Sequence, residues 1–160
     1  MEFQNTIAYG NFIASGGFFP LDEGGEEFKP FSGSQFLPTA QVSKNIVVGA
    51  TDTFKVKVKQ IGVYFVDFSF IAFGGESRVY ALQPFVNNVA YNSSNGTGMI
   101  IKFYQQPSNQ KYEVSVNGIF LLNRDDLLEY RLQVNTVSEP ELQILGVKMN
   151  IYNLNQRGIH

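Results

Sequence analysis

The chain of 160 residues contains no cysteine and no tryptophan, and its single histidine, His160, is the last residue. Without cysteine the protein forms no disulfide, so its fold is indifferent to the redox compartment. Zinc sites draw mainly on cysteine and histidine, and a serine nucleophile paired with histidine would depend on that last residue. We therefore predict that the protein is not an enzyme and holds no metal and no other cofactor.

Charge is also scarce, because 12 basic and 14 acidic residues give a net charge of −2 and charged residues make up only 16% of the chain. A protein that binds nucleic acid or an anionic membrane needs a concentrated basic patch, which this composition lacks. No apolar run is long enough to span a bilayer, and the first residues lack the basic start of a signal peptide. We expect no nucleic-acid partner, no membrane insertion and synthesis in the cytoplasm.

The acidic residues give no sign of a catalytic or calcium site. Adjacent carboxylates occur at Asp125 and Asp126, and Glu139 and Glu141 lie close together further on. Calcium loops need several oxygen ligands at fixed spacing, and glycosidases need two carboxylates across a sugar, and neither pattern surrounds these residues. We interpret them as solvated residues of turns.

Aromatic residues are plentiful by contrast, with 15 phenylalanines and 8 tyrosines, and residues 54–73 carry the most informative pattern. The first half of this stretch alternates apolar residues with lysines, as in a half-buried strand. From Val63 onward both faces are apolar, so the strand needs a second surface in addition to its own core. We expect a neighbouring copy to supply that surface, with Gly62 as the joint where a turn or bulge lets the chain reverse. The candidate residues for contact between copies are Tyr64, Phe65, Phe68, Phe70, Phe73, Met149 and Tyr152.

Short strands separated by turns account for the chain after residue 43. We predict strands near 45–49, 53–60, 62–73, 78–83, 85–91, 98–105, 111–120, 127–136 and 141–152. Turn signals such as Asn87-Asn88 lie between them, and no long segment requires the 3.6-residue period of a helix. About eight to ten strands without helical interruption indicate an all-β protein built as an antiparallel sandwich or barrel. A switch of the apolar alternation near Gly146 predicts a β-bulge at residues 144–146.

Residues 1–42 differ from the rest, because glycine, proline and aromatic residues are mixed without a regular strand pattern. We predict two parts, an N-terminal arm at 1–42 and a head domain at 43–160. The aromatic content argues against a solvated tail, so the arm packs on something. It packs on its own domain, supplies the first strands of the sandwich, or docks the domain onto a larger assembly. The candidate anchoring residues are Phe3, Tyr9, Phe12, Phe18 and Phe19.

Three segments of the chain carry a recognisable strand signature, and they are residues 54–56 (FKV) leading into 62–66 (GVYFV), residues 111–134 and residues 142–154. In this order they resemble the signature of the tumour necrosis factor and complement globular-head superfamily, and the first segment is similar to its F-x-V and G-x-Y-x-F strands. Residues 111–134 resemble its two strands joined by an L-x-x-G-D turn, with Asp125 where the family usually has glycine. An aspartate can adopt the left-handed conformation that such a turn needs. The closing strand at 142–154 resembles the F-x-G-x-L strand of the family.

The resemblance covers roughly residues 43–154 and implies a jelly-roll β-sandwich that forms a tight homotrimer around a three-fold axis. The same jelly roll occurs in spike and fibre heads of bacteriophages, which are made in the host cytoplasm without a leader. We therefore predict a non-enzymatic virion-surface protein, a trimeric head fibre or decoration protein, with residues 1–42 anchored on capsid or other virion proteins. Whether it also attaches to a host receptor or glycan is left open.

The alternative is a secreted or surface-displayed domain, extracellular in location, that binds a receptor or glycan as TNF-like and lectin-like proteins do. For either function the contact with a partner would lie in loops at an exposed tip. The candidate tip-loop residues are Asn92, Asn95 and Asn109.

Overall fold

The computed structural model describes residues 8–21, 27–49, 52–74, 78–91, 102–106, 110–134 and 141–154. These residues form thirteen β-strands and one short 3-10 helix, Ser34–Phe36, and no α-helix occurs among them. The strands are β1 (Tyr9–Ala14), β2 (Gly17–Pro20), β3 (Lys29–Pro30), β4 (Thr39–Val42), β5 (Ile46–Val48), β6 (Val56–Val58), β7 (Gly62–Gly74), β8 (Arg78–Val86), β9 (Val89–Ala90), β10 (Lys102–Gln106), β11 (Gln110–Leu122), β12 (Leu127–Val134) and β13 (Glu141–Asn153). The predicted all-β class is confirmed.

Two antiparallel sheets form the sandwich. The first sheet has the strand order β11-β7-β13-β1-β4, and β2 also pairs with β13. The second sheet has the order β10-β8-β12-β6-β5, with β3 also paired to β12 and β9 to β8. All of these pairings are antiparallel. This architecture agrees with the predicted jelly-roll sandwich.

Alternate residues of β1, β7 and β11 point into a core that is rich in aromatic rings. Phe68 of β7 stacks on Tyr130 of β12 with ring centroids 4.5 Å apart, which joins the two sheets. Phe31 packs beside this pair, 5.6 Å from Phe68 and 5.5 Å from Phe70. Aromatic pairs contribute about 0.5–1.5 kcal/mol beyond the area they bury, so these rings hold the sandwich together without a disulfide.

Four of the seven residues predicted to contact another copy belong to this core instead. Tyr64, Phe68, Phe70 and Met149 are at most 1% exposed in the single chain. The prediction is wrong for these four because their side chains point inward from β7 and β13 and have no surface left to present. The other three point outward, and they are Phe65, Phe73 and Tyr152.

The described part of the N-terminal segment belongs to the sandwich and is not a separate arm. β1 lies between β13 and β4 in the first sheet, and β2 pairs with β13 as well. Phe12 is fully buried and Phe19 is 1% exposed, whereas Tyr9 and Phe18 point outward. The predicted boundary after residue 42 is therefore wrong for the described residues, because this segment supplies strands to the first sheet. Phe3 lies outside the described residues.

β13 contains the predicted β-bulge, since its pairing with β7 shifts register between Ile144 and Gly146. On its other edge β13 pairs with β2 and then with β1, and the break between these two partners falls beside the bulge. Gly16 lies in that break with a φ of 92°. A Cβ at this position would lie 2.3 Å from the carbonyl oxygen of Ile144, so the close approach requires glycine.

The turn between β11 and β12 has the predicted left-handed residue. Asp125 has a φ of 73°, and its backbone N–H donates to the carbonyl oxygen of Val58 at 2.7 Å. The predicted turn at Asn87 and Asn88 is also present and joins β8 to β9, with φ values of 53° and 68°. Two consecutive residues of positive φ match the twist of a tight hairpin.

The joint at Gly62 has a different geometry from the predicted one. β6 belongs to the second sheet and β7 to the first, so residues 59–61 carry the chain across the sandwich. A Cβ on Gly62 would lie 2.4 Å from Nδ2 of Asn153, which accounts for glycine at this position. The strand predicted at 53–60 is shorter in the structure and consists of Val56–Val58.

Candidate interaction surface

The outward face of the first sheet is arranged in rows, because antiparallel pairing places partner side chains next to each other. One row crosses β11, β7, β13 and β1 and consists of an isoleucine, a phenylalanine and two tyrosines. A leucine and a valine form a second pair on the same face, two residues further along β11 and two residues back along β7. We call these six residues the aromatic band: Tyr9, Val63, Phe65, Ile119, Leu121 and Tyr152.

Much of the aromatic band is open to solvent in the single chain. Leu121 is 60% exposed, and Tyr9, Ile119 and Tyr152 are each more than 40% exposed. The rings of Phe65 and Tyr152 contact each other, with centroids 5.5 Å apart. Single exposed apolar residues are ordinary, but a contiguous group of them marks a surface that binds something.

A row of hydrogen-bonding side chains lies beside the aromatic band on the same face. Its register crosses five strands, namely β11, β7, β13, β1 and β4. Four of its members carry a side-chain amide and one carries a carboxylate. We call these five residues the amide row: Asn11, Gln41, Asp67, Asn117 and Asn150.

The far end of this face is apolar again, but charge interrupts it. Phe18 is 57% exposed and Phe73 is 41% exposed. A depression of about 200 Å³ lies over the bulge of β13, and Gly146 is part of its lining. Glu113 and Lys148 also line it and bring charges of opposite sign. The far end therefore offers a less continuous apolar surface than the aromatic band does.

The structure brings together only part of the predicted contact set. Phe65 and Tyr152 lie in the aromatic band, whereas Phe73 lies at the far end of the face. Ile119 and Leu121 were not among the predicted contact residues, although β11 carries a signal for them. Its outward positions are polar from residue 111 to residue 117 and then become apolar, so the strand changes from one apolar face to two.

The outward face of the second sheet carries a charge cluster. Glu129 is 2% exposed, and one of its oxygens accepts hydrogen bonds from Nη2 and Nε of Arg131 at 2.6 and 2.9 Å. Nζ of Lys55 lies 3.8 Å from the same oxygen. The Arg131 guanidinium lies 4.1 Å from the centre of the Phe85 ring and donates to Oδ1 of Asn88 at 2.9 Å. The cluster thus pairs its buried charge within one chain, as a buried carboxylate requires.

This cluster is closed to ligands. Oε1 of Glu129 has no hydrogen-bond partner in the described part of the chain, but it is also shielded from solvent. The arrangement therefore stabilises the surface of the second sheet and does not form an accessible site.

Two ionisable groups have shifted pKa values, each for a local reason. Burial raises the pKa of the Tyr64 hydroxyl, whose O–H donates to the carbonyl oxygen of Gln60. The hydrogen bond from Nζ of Lys59, at 2.8 Å, lowers the pKa of Asp125. Both groups hold turns or crossings of the chain, and neither of them faces the aromatic band.

Among the described ranges there is no group of three or more His, Cys, Asp or Glu side chains that could hold a metal ion. In the part of the chain that the structure describes, no helix is long and apolar enough to cross a bilayer. The predicted tip-loop residues Asn92, Asn95 and Asn109 lie outside the described residues.

The chain matches no protein-family model and no curated protein in sequence. In structure it is similar to the globular domain of zebrafish complement 1qA, with a TM-score of 0.56 and 9% identity over 94% of this chain and 99% of that one. It is also similar to the Eiger tumour necrosis factor from S. frugiperda, with a TM-score of 0.51 and 11% identity over 96% of each chain.

These similarities extend the resemblance found in the sequence motifs. Coverage of 94% cannot be reached without the N-terminal segment, so the shared architecture is not limited to residues 43–154. The identities are too low to show more than a common fold. The chain therefore shares the jelly-roll fold of complement 1q globular domains and tumour necrosis factors.

Proposed function

We propose that this chain is a binding domain without enzymatic activity, and that it works as a homotrimer assembled through the aromatic band. The observation that carries the proposal is the contiguous exposure of apolar side chains on one face of the first sheet. The motif resemblance, which implies a homotrimer, and the shared jelly-roll fold support the same conclusion.

A further copy of the chain is the simplest cover for the aromatic band. β11 is the edge strand of the first sheet, and Ile119 and Leu121 continue the band to that edge. An apolar edge beside an apolar face promotes uncontrolled association unless something covers both. A closed ring of copies covers them, because the edge of one copy packs against the face of the next.

The chemistry of the remaining surface supports binding over catalysis. The charge cluster around Glu129 is closed, and its carboxylate is already paired with Arg131. The groups with shifted pKa values, Tyr64 and Asp125, act in local hydrogen bonds. Surfaces suited to association are therefore the prominent feature of the described residues.

The variant Ile119→Asp tests the trimer. We expect the wild-type chain to have the mass of a trimer at micromolar concentration and the variant to have the mass of a monomer. The reason is that each assembled copy would bury a carboxylate without a partner, which is costly. Sedimentation equilibrium measures the mass, and circular dichroism shows whether the variant keeps its β-structure.

Val89→Asp is the matched control for this experiment. Val89 is 66% exposed on β9 of the second sheet, so the same substitution there should leave the trimer intact. A wild-type chain that stays monomeric at high micromolar concentration contradicts the proposal. Dissociation by both variants alike would place the contact on a different surface.

The more specific prediction, a head fibre or decoration protein on a bacteriophage virion, stays a prediction. It depended on a free arm at residues 1–42, and the described strands of that segment are part of the first sheet. The alternative of a secreted or surface-displayed domain that binds a receptor or glycan is equally compatible with the fold similarities. Immunogold labelling separates the two, because a virion protein gives a regular pattern on purified particles and a secreted domain gives none.

A further inference from the structure

Beyond the trimer itself, we propose that the amide row determines which register the copies adopt and how many of them assemble. The proposal rests on the proposed homotrimer and divides the outward face of the first sheet between two tasks. The aromatic band supplies affinity, and the amide row supplies specificity for copies of the same chain.

The amide row is close enough to the aromatic band to be buried with it. Asn117, Asp67 and Asn150 occupy directly paired positions on β11, β7 and β13. Each of these residues stands two positions from a member of the aromatic band on its own strand, a distance of about 6–7 Å. A partner that covers the band therefore removes water from the central part of the row.

The hydrogen-bonding capacity of the row is not used within the described part of one chain. Among the described residues, none of its five side chains has a hydrogen-bond partner. A polar group that is buried without a partner costs about 1–3 kcal/mol. Any partner of this face must therefore present matching donors and acceptors at matching positions.

A copy of the same chain presents such groups. A side-chain amide carries both donors and acceptors, so a row of amides is complementary to another row of amides. Asp67 only accepts hydrogen bonds, and asparagines flank it on both neighbouring strands, so the NH₂ donors it needs are part of the same row. The composition of the row therefore favours self-association over an unrelated apolar partner.

The position of the row also penalises wrong arrangements. A copy displaced along the strands would place amides opposite apolar side chains and leave the amides unpaired. A single buried asparagine fixes register and oligomer number in coiled coils by the same cost, at the expense of some affinity. We expect the amide row to act in this way on a sheet face.

The double variant Asn117→Leu/Asn150→Leu tests the proposal, since it makes two positions of the row apolar and leaves the aromatic band intact. Native mass spectrometry measures the distribution of oligomers. The wild type should give one mass, that of the trimer. The double variant should associate at least as tightly but lose that single mass and give trimers mixed with other oligomers. Gln143→Leu is the matched control, because Gln143 is exposed on the same face outside the row, and it should keep one mass.

The outcomes separate this proposal from the one on which it rests. A monomeric wild type overturns both. If the wild type is trimeric, the result for the double variant decides the role of the amide row alone. That role is overturned if the double variant stays a single trimer, as Gln143→Leu should, or falls apart into monomers. If thermal unfolding shows that the double variant does not fold, Asn117→Leu alone on the edge strand answers the same question with the same readout.

Discussion

The outward faces of the two sheets differ in whether their side chains are paired within the chain. On the first sheet much of the aromatic band is exposed, and the side chains of the amide row have no hydrogen-bond partner among the described residues. On the second sheet Glu129, Arg131 and Lys55 pair with one another, and the Arg131 guanidinium covers the ring of Phe85. The first face leaves a row of apolar and a row of polar side chains available to a partner, whereas the charges of the second face are paired within a single chain.

The difference shows that burial in the core does not reveal which surface of a sandwich associates. Both sheets contribute side chains to the same core, and their outward positions differ. On the second sheet Val47 is exposed and pairs with Lys57 on the outward side, whereas the exposed Val48 and Val89 pair with Val56 and Val86, which pack on the core side. These valines form no row across the sheet. Continuity across neighbouring strands is what distinguishes the first face.

The largest effect is expected from removing the carboxylate of the second face. Glu129→Ala leaves Arg131 and Lys55 without their buried partner, which should lower the free energy of unfolding by about 3 kcal/mol or more. Denaturant titration measures the change. Glu113→Ala removes an exposed carboxylate from the first face and should change stability by about 0.5 kcal/mol or less. If Glu129→Ala and Glu113→Ala lowered the free energy of unfolding equally, the contrast between the two faces would be contradicted.

The next effect separates association from folding on β11. Leu122 is 1% exposed and Leu121 is 60% exposed, so these neighbours face the core and the outside. Leu122→Ala should lower the free energy of unfolding by about 2–5 kcal/mol. Leu121→Ala should destabilise the protomer little but make the trimer dissociate at higher concentration on dilution. Denaturant titration and mass measurement on dilution give the two readouts, and a trimer unaffected by Leu121→Ala would contradict the role of the band.

The smallest effect concerns Tyr64 on the inward side of the first sheet. Burial raises its pKa in the folded chain, whereas an unfolded tyrosine ionises near about 10. The folded state therefore holds the proton more tightly, and the stability from this group is present below pH of about 10 and is lost as the pH rises further. Tyr64→Phe should cost about 1 kcal/mol at neutral pH through its lost hydrogen bond. It should also make stability fall less steeply in alkali, and an alkaline profile identical to that of the wild type would count against this assignment.

The long strands in the second half of the chain and β7 were predicted well from the sequence. Predictions at 62–73, 111–120, 127–136 and 141–152 correspond closely to β7, β11, β12 and β13. The bulge in β13 was predictable too, because a change of parity is a local property of the sequence.

The N-terminal strands were not predictable in this way, and Gly10 shows the reason. Glycine weakens the strand signal of β1, yet a Cβ at this position would lie 2.5 Å from the ring of Phe12. Gly10, which weakens the strand pattern in the sequence, thus leaves space for the buried ring of Phe12. The partners of β1 are β13 and β4, and neither of these long-range pairings can be read from a local pattern.

Only Phe65 and Tyr152 of the aromatic band were predicted as contact residues, because β7 is apolar on both faces and its sequence does not show which face is buried in the core. The predicted set drew Tyr64 and Phe68 from the inward face and Phe65 from the outward one. Asp67 and Ser69 share the outward parity, and they are the signal that separates the two faces. Phe65 lies beside Ile119 of β11 and Tyr152 of β13 because of the register in which these strands pair. The sequence of a single strand does not specify that register.

The position of β13 has a consequence for the order in which the protein matures during synthesis. It is the last described strand in the chain, yet it lies between β7 and β1 in the middle of the first sheet. Every described strand of the second sheet comes before it. A chain emerging from the ribosome can therefore pair the strands of the second sheet while the first still lacks its central strand. The proposed contact surface is therefore completed last, which would keep unfinished chains from assembling with one another.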